Sequence, residues 1–213
     1  MFTLLTLFAL TAADDESLAK ALQSLAAAGN YRFTVSDGGP APAVEGKYQK
    51  GEPLYAKADR IEFFRKGETL VYLANNTWQR TRTGTVSDPL IVLGASAKVR
   101  ALRTPQEELT DIVKLWRMPI RTNAKDQIVF TAELSENAAK QLARTEDRDV
   151  VRGGTVDIRV DDQGRVSKYE LVITVKGQRG NAEVDGKVTK IVTIGDIGET
   201  KVEIPAAARK VLE

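Results

Sequence analysis

The sequence predicts an α+β fold in which one open antiparallel sheet carries a few helices. Three observations lead there. Runs with an apolar side chain at every second residue recur along most of the chain, glycine, proline and asparagine clusters punctuate them, and apolar spacings of three and four occur only in a few short stretches. No internal repeat of fixed period and no Pro-, Gly- or Ser-rich linker divides the chain, so residues 14–213 read as a single domain.

The first element is an apolar-rich run from Phe2 to Leu10, followed by Thr11-Ala12-Ala13 and an acidic residue. Spanning a bilayer takes roughly 20 residues, so this run is too short to cross one but fits the core of a secretory signal, with cleavage expected after Ala13. The expected destination is periplasmic or secreted. No Lys or Arg precedes the run, and the alternative is an amphipathic first helix belonging to the fold. Leu18, Ala21, Leu22 and Leu25 then mark one amphipathic helix, stopped at Gly29-Asn30.

A meander follows, with YRFTVSD, AVEGKYQK, LYAKADRIEFFRK, ETLVYLAN and TWQRTR as strand segments separated by Gly38-Gly39-Pro40, Gly51-Glu52-Pro53, Lys66-Gly67 and Asn75-Asn76. The cleanest alternation sets Tyr31, Phe33 and Val35 on one face and Arg32, Thr34 and Ser36 on the other. From Asp88-Pro89 to Leu102 the chain is apolar and alanine-containing, predicting a helix. A second helix opens at Thr104-Pro105-Gln106-Glu107, which has the form of a capping box with proline at the first helical position. Its apolar stripe is Leu109, Ile112, Val113 and Trp116, and Pro119 is expected to end it.

QIVFTAEL resumes the sheet, and SENAAKQLART is a short helix with Ser135 as N-cap. A hairpin follows. Val156, Ile158 and Val160 alternate on its first strand, Asp161-Asp162-Gln163-Gly164 turns the chain, and Tyr169, Leu171, Ile173 and Val175 alternate on the second. QRGNAEVDG reads as a loop and KVTKIVTIGDIG as another strand. Val202 and Ile204 are expected to extend that last strand, Pro205 to end its ladder, and Ala206–Leu212 to form a helical tail against a rim.

Composition excludes several functions. The 31 basic and 29 acidic residues nearly cancel, and no long block of either sign would attract nucleic acid. Cysteine and histidine are absent, which removes disulfides, thiolate nucleophiles, Cys/His metal sites and triads with an imidazole base. Lipid attachment to a cysteine after the signal is likewise ruled out within this sequence. Phosphate-binding, dinucleotide, nucleophile-elbow and EF-hand motifs are missing, so no cofactor, metal or catalytic residue is expected. A carboxylate pair such as Asp157 with Asp161 or Asp162 is an example of an acid–base arrangement, but Asp is common in or beside a hairpin turn for conformational reasons. Asn75-Asn76-Thr77 matches a glycosylation sequon and also suits a turn.

The order of helix, long meander, helical pair, strand-then-helix, the Asp162-Gln163-Gly164-Arg165 hairpin turn and the closing Gly198–Pro205 segment resembles the LolA-like superfamily, which contains periplasmic lipoprotein carriers, lipid-carrying lipoproteins and envelope-stress sensor domains. The resemblance spans nearly the whole chain after residue 13. It implies an open half-barrel sheet wrapped around helices, with an apolar cavity for acyl chains. The sequence departs from the lipidated members in having no cysteine.

Candidate cavity residues are Phe33, Tyr55, Phe63, Tyr72 and Trp78 from the sheet, with Leu90, Leu93, Ile112 and Trp116 from the helical insert. Taken singly, an aromatic or Leu on the inner face of a sheet is more often an ordinary core residue; only their joint placement argues for a pocket. At about 0.8 kcal/mol per methylene, one long acyl chain would contribute on the order of 8–10 kcal/mol before ordering costs. In TWQRTR, Arg80 and Arg82 share a face with Trp78. If that face is internal they suit an anionic headgroup; if external they are solvated charge over the indole. The expected function is thus an exported carrier without chemistry, with lipid or lipoprotein acyl chains as partners and a membrane-protein donor or acceptor as a further candidate. The alternatives are an envelope-sensing interaction module and a structural or enzymatic domain with a filled core.

Overall fold

Alternating strands joined by tight turns build one wholly antiparallel sheet, of eleven strands among the residues described in a computed structural model of the chain: 16–39, 43–58, 61–82, 102–143, 150–179 and 182–213. The N-terminal meander comprises β1 (Asn30–Ser36), β2 (Val44–Gln49), β3 (Leu54–Ala58), β4 (Ile61–Lys66), β5 (Thr69–Ala74) and β6 (Thr77–Arg82). The C-terminal one comprises β7 (Arg117–Ala124), β8 (Gln127–Leu134), β9 (Val150–Asp161), β10 (Val166–Arg179) and β11 (Ala182–Gly195). Their spatial order is β6-β5-β4-β3-β2-β1-β11-β10-β9-β8-β7, so the two meanders meet where β1 pairs with β11 and the sheet stays open at β6 and β7.

Helices cover both faces. On the inner face lie α1 (Glu16–Ala27), α2 (Pro105–Leu115) and α3 (Glu136–Ala143): α1 touches α2 and β10, and α3 touches α2, β8 and β9. On the outer face α4 (Ala206–Leu212) rests on β5 and β6. The local signals for these helices hold. The Thr104 hydroxyl accepts from the Glu107 N–H while the Glu107 carboxylate accepts from the Thr104 N–H, with Pro105 opening α2, and the Ser135 hydroxyl accepts from the Ala138 N–H to start α3. No helix among the described residues is long and apolar enough to cross a membrane.

Four expectations are corrected. LYAKADRIEFFRK is two strands, β3 and β4, paired with each other from Leu54↔Arg65 to Ala58↔Ile61. Most of QRGNAEVDG belongs to strands, because β10 and β11 pair continuously from Lys168↔Thr193 out to Arg179↔Ala182. Pro119 does not end α2: the helix stops at Leu115, and Pro119 sits in β7, an edge strand with a register shift between Arg117 and Ile120 where a missing N–H is tolerated. Val202 and Ile204 lie beyond β11, which ends at Gly195. There Asp196 and Gly198 adopt positive φ, and the chain turns across the end of β1 as Asn30 accepts from Gly198 N–H through its carbonyl and from Thr200 N–H through its side chain. Val202 N–H donates to the Gln49 side chain, and the chain continues into α4. The helix expected between Asp88 and Leu102 lies outside the described residues up to position 101, as does the segment 1–13.

Close packing at the centre of the N-terminal half uses a missing side chain. Gly46 on β2 is opposite Phe33 on β1, and a Cβ on Gly46 would overlap the Phe33 ring. Gly46→Ala is expected to lower unfolding stability by about 1–3 kcal/mol in urea titration, through overpacking. Gly195→Ala, where a Cβ meets nothing within 4 Å, is expected to change it by less than about 0.5 kcal/mol.

Candidate functional site: the inner face

Period-two alternation divides the candidate residues between the two faces. Phe33, Phe63, Tyr72 and Ile112 are buried in one continuous apolar cluster on the inner face, and Trp116 packs against it half-buried. Leu18 and Leu25 of α1, Leu109 of α2, Phe130 of β8, Ile158 of β9 and Leu171 of β10 extend the same cluster across both meanders. Tyr55 and Trp78 are not part of it. They flank Phe64 on the outer face, each ring centroid 5.4 Å from that of Phe64, in a separate cluster with Val71, Val202, Ala208 and Leu212. The reason is parity: Tyr55 lies between inward Leu54 and Ala56, and Trp78 pairs with Leu73, one position out of phase with inward Tyr72. Leu90 and Leu93 lie outside the described residues.

The same parity answers the question of TWQRTR. Arg80 shares the outer face with Trp78 and is exposed, its guanidinium 3.5 Å from the Thr69 hydroxyl, so it is solvated charge. Gln79 faces inward, accepting at 2.9 Å from the Tyr72 hydroxyl. The Asp carboxylates near the hairpin are structural too. Asp157 accepts from Thr131 across the outer face at 2.6 Å. Asp161 organises the turn by accepting from the Gln163 and Arg165 N–H groups and the Arg165 side chain.

One polar cluster interrupts the inner face, and it was not among the candidates. Glu108 of α2 is only 4% exposed. The Tyr169 hydroxyl donates to its Oε2 at 2.6 Å, and Lys190 Nζ of β11 donates to both carboxylate oxygens at 2.6 and 2.7 Å. Burial, the Glu108 charge and the hydrogen bond to it push the Tyr169 phenol well above the ordinary tyrosine value, so this phenol stays protonated and acts as a donor. Burial likewise raises Tyr31, whose buried hydroxyl makes no hydrogen bond of normal geometry and lies near Thr104 and the Gln106 backbone. Glu108 occupies the buried stripe Pro105, Glu108, Leu109, Ile112 at spacings of three and four, and Lys190 the inward series Lys190, Val192, Ile194 opposite Leu171. Two opposite charges at positions that the period reserves for apolar side chains were the signal available in the sequence.

A polar cleft of about 580 Å³ lies beside α2, lined by residues that include Tyr48, Arg65, Arg103, Glu107 and Asp111. Its two arginines are engaged. Arg65 donates to the Leu102 carbonyl and approaches Glu107, while Arg103 pairs with Asp111 at 2.8 Å and donates to the Glu107 carbonyl. Around the Glu108 cluster, the described residues of the inner face present hydrocarbon.

Solved structures with a similar fold include the following two. The lipoprotein LppX of Mycobacterium tuberculosis superposes with a TM-score of 0.52 at 11% identity, over 89% of this chain and 99% of that one. LprF from Mycobacterium bovis gives a TM-score of 0.52 at 11% identity, over 91% and 96%. The chain has a LolA-like fold. At such identity the likeness is one of fold alone. No protein-family model matches the sequence, and no curated protein matches it.

Removing one partner of the Glu108 cluster strands the other, whereas replacing both restores an apolar stripe. Glu108→Leu and Lys190→Met are each expected to cost about 1–3 kcal/mol in chemical denaturation, moderated by the partial exposure of Lys190. The double variant is expected to lose clearly less than the sum of the two.

Proposed function

We propose that the protein is a carrier that holds acyl chains of a lipid or lipoprotein between the sheet and its inner helices, without chemistry, in an extracytoplasmic compartment. The observation that carries this reading is the gathering of Phe33, Phe63, Tyr72, Ile112 and Trp116 into one apolar cluster, in a fold shared with a lipoprotein. These five residues are the proposed cavity lining. Leu90 and Leu93 are proposed to complete it from the insert. Hydrocarbon needs no dedicated polar partner, and burying a chain of a dozen or so methylenes would suffice for tight binding once ordering costs are met.

The two tryptophans provide the test, because they lie in different clusters. In Trp78→Phe, where Trp116 is the remaining indole, a brominated fatty acid is expected to quench the emission saturably. In Trp116→Phe, where Trp78 remains on the outer face, the same titration is expected to leave it nearly unchanged. A filled interior would leave both unquenched and would overturn the carrier reading.

Export is proposed on the apolar run at Phe2–Leu10 and Thr11-Ala12-Ala13. Protein recovered from a periplasmic or culture fraction is expected to begin near Asp14 on N-terminal sequencing, and an intact Met1 in the cytoplasmic fraction would count against export.

A further inference from the structure

The Glu108 cluster has a buried end and an accessible one. Glu108 and Tyr169 are closed off, at 4% and 1% exposure, whereas the Lys190 side chain keeps 28% of its surface open. Strand β1 pairs with β11 from Arg32↔Gly195 to Ser36↔Ile191, and Lys190 is the next β11 position beyond that pairing. Its ammonium therefore stands at a margin of the inner face.

An ammonium carries three hydrogens, and Glu108 takes two directions at most, with its oxygens at 2.6 and 2.7 Å from Nζ. Among the described residues nothing else accepts from Lys190. Tetrahedral geometry points the remaining N–H away from the carboxylate. That donor has hydrocarbon around it: Glu108 and Ile112 are one turn apart on the buried stripe of α2, and Lys190 is opposite Leu171 of the inner cluster.

Such a donor distinguishes acyl compounds by charge. A neutral carbonyl oxygen, as in an ester or amide, can accept the third N–H while Glu108 keeps the other two. A carboxylate would set a second negative charge beside Glu108 with one ammonium between them, and like charges so close repel strongly out of water. Arg103, whose charge reaches Tyr169, does not offset it, being paired with Asp111 at 2.8 Å and bonded to the Glu107 carbonyl. Tyr169 already gives its hydrogen to Glu108.

We propose that Lys190 is a polar registration point in the acyl site, donating to the ester or amide carbonyl of a neutral acyl compound, and that Glu108, by cancelling the ammonium charge, makes the site select such compounds over free fatty acids. This rests on the carrier reading and adds to it a class of cargo and the residue pair that chooses it.

The experiment compares a brominated fatty acid with its methyl ester at neutral pH, through quenching of Trp116 in the full chain carrying Trp78→Phe. Desolvating a carboxylate disfavours the acid in any apolar site, so the deciding quantity is the change in the ester-to-acid affinity ratio on Glu108→Gln, which keeps an acceptor for Lys190 and removes the charge. That ratio is expected to fall by about tenfold or more, chiefly through tighter binding of the acid. Lys190→Met, at unchanged circular dichroism, is expected to weaken ester binding by about fivefold, the loss of one hydrogen bond. In the intact chain, which needs no variant to fold, the infrared stretch of an isotope-labelled ester carbonyl is expected at its hydrogen-bonded position. A free carbonyl stretch in the bound ester, or a ratio that Glu108→Gln leaves unmoved, would overturn the selection while the carrier reading stands. Quenching by neither ligand would instead sink the carrier reading, and this inference with it.

Discussion

The pairing of β1 with β11 is the constraint on which the rest of the structure depends. Partners from Arg32↔Gly195 to Ser36↔Ile191 lie roughly 160 positions apart in sequence, so closing this pair carries the largest loop-closure entropy in the sheet. Without it the chain would form two separate meanders, each with bare edges. With it, the inward residues of β1, Tyr31 and Phe33, become continuous with Val192 and Ile194 of β11, and a single apolar face runs from β5 to β8. That continuity lets helices on one half of the chain cover strands from the other.

Helix α2 is held against that face by two kinds of contact with different geometric demands. Leu109 and Ile112 bury hydrocarbon, which stabilises the helix but tolerates rotation about its axis. The Glu108 carboxylate accepts from Tyr169 and from Lys190 on adjacent strands, and such bonds hold only at one rotation and one height. A buried carboxylate is costly unless its oxygens are satisfied, and here three donor contacts supplied by β10 and β11 satisfy them. The position of α2 is therefore tied to the centre of the sheet. The capping box meanwhile determines where the helix begins.

The two faces of the N-terminal half differ in purpose. Phe63 and Phe64 are adjacent and both fully buried, one under the inner cluster and one under α4, so these strands read as nearly continuous apolar runs. Tyr55 and Trp78 look like inner-face residues in the sequence for that reason: when both faces are buried, aromatic character no longer marks which face is which. On β9 and β10 the outer face is polar, and there the alternation of Val156, Ile158, Val160 with Tyr169, Leu171, Ile173 identified the buried side correctly. The Asn75-Asn76 hairpin turn, with both residues at positive φ, and the Asp161–Arg165 turn were legible for a similar reason, since their conformation is a local property of the residues that make them.

By itself the sequence determined the class of the fold, most strand identities, the caps of α2 and α3 and the exclusion of imidazole and thiol chemistry, because each rests on contacts within a few residues or on composition. Only the tertiary structure decided that the chain end crosses β1 to cover Phe64, Val71 and Trp78, that Glu108 meets Tyr169 and Lys190, and that Pro119 belongs to an edge strand. Those outcomes depend on which strands become neighbours through the β1–β11 pair, and no local spacing encodes a partner so far away along the chain.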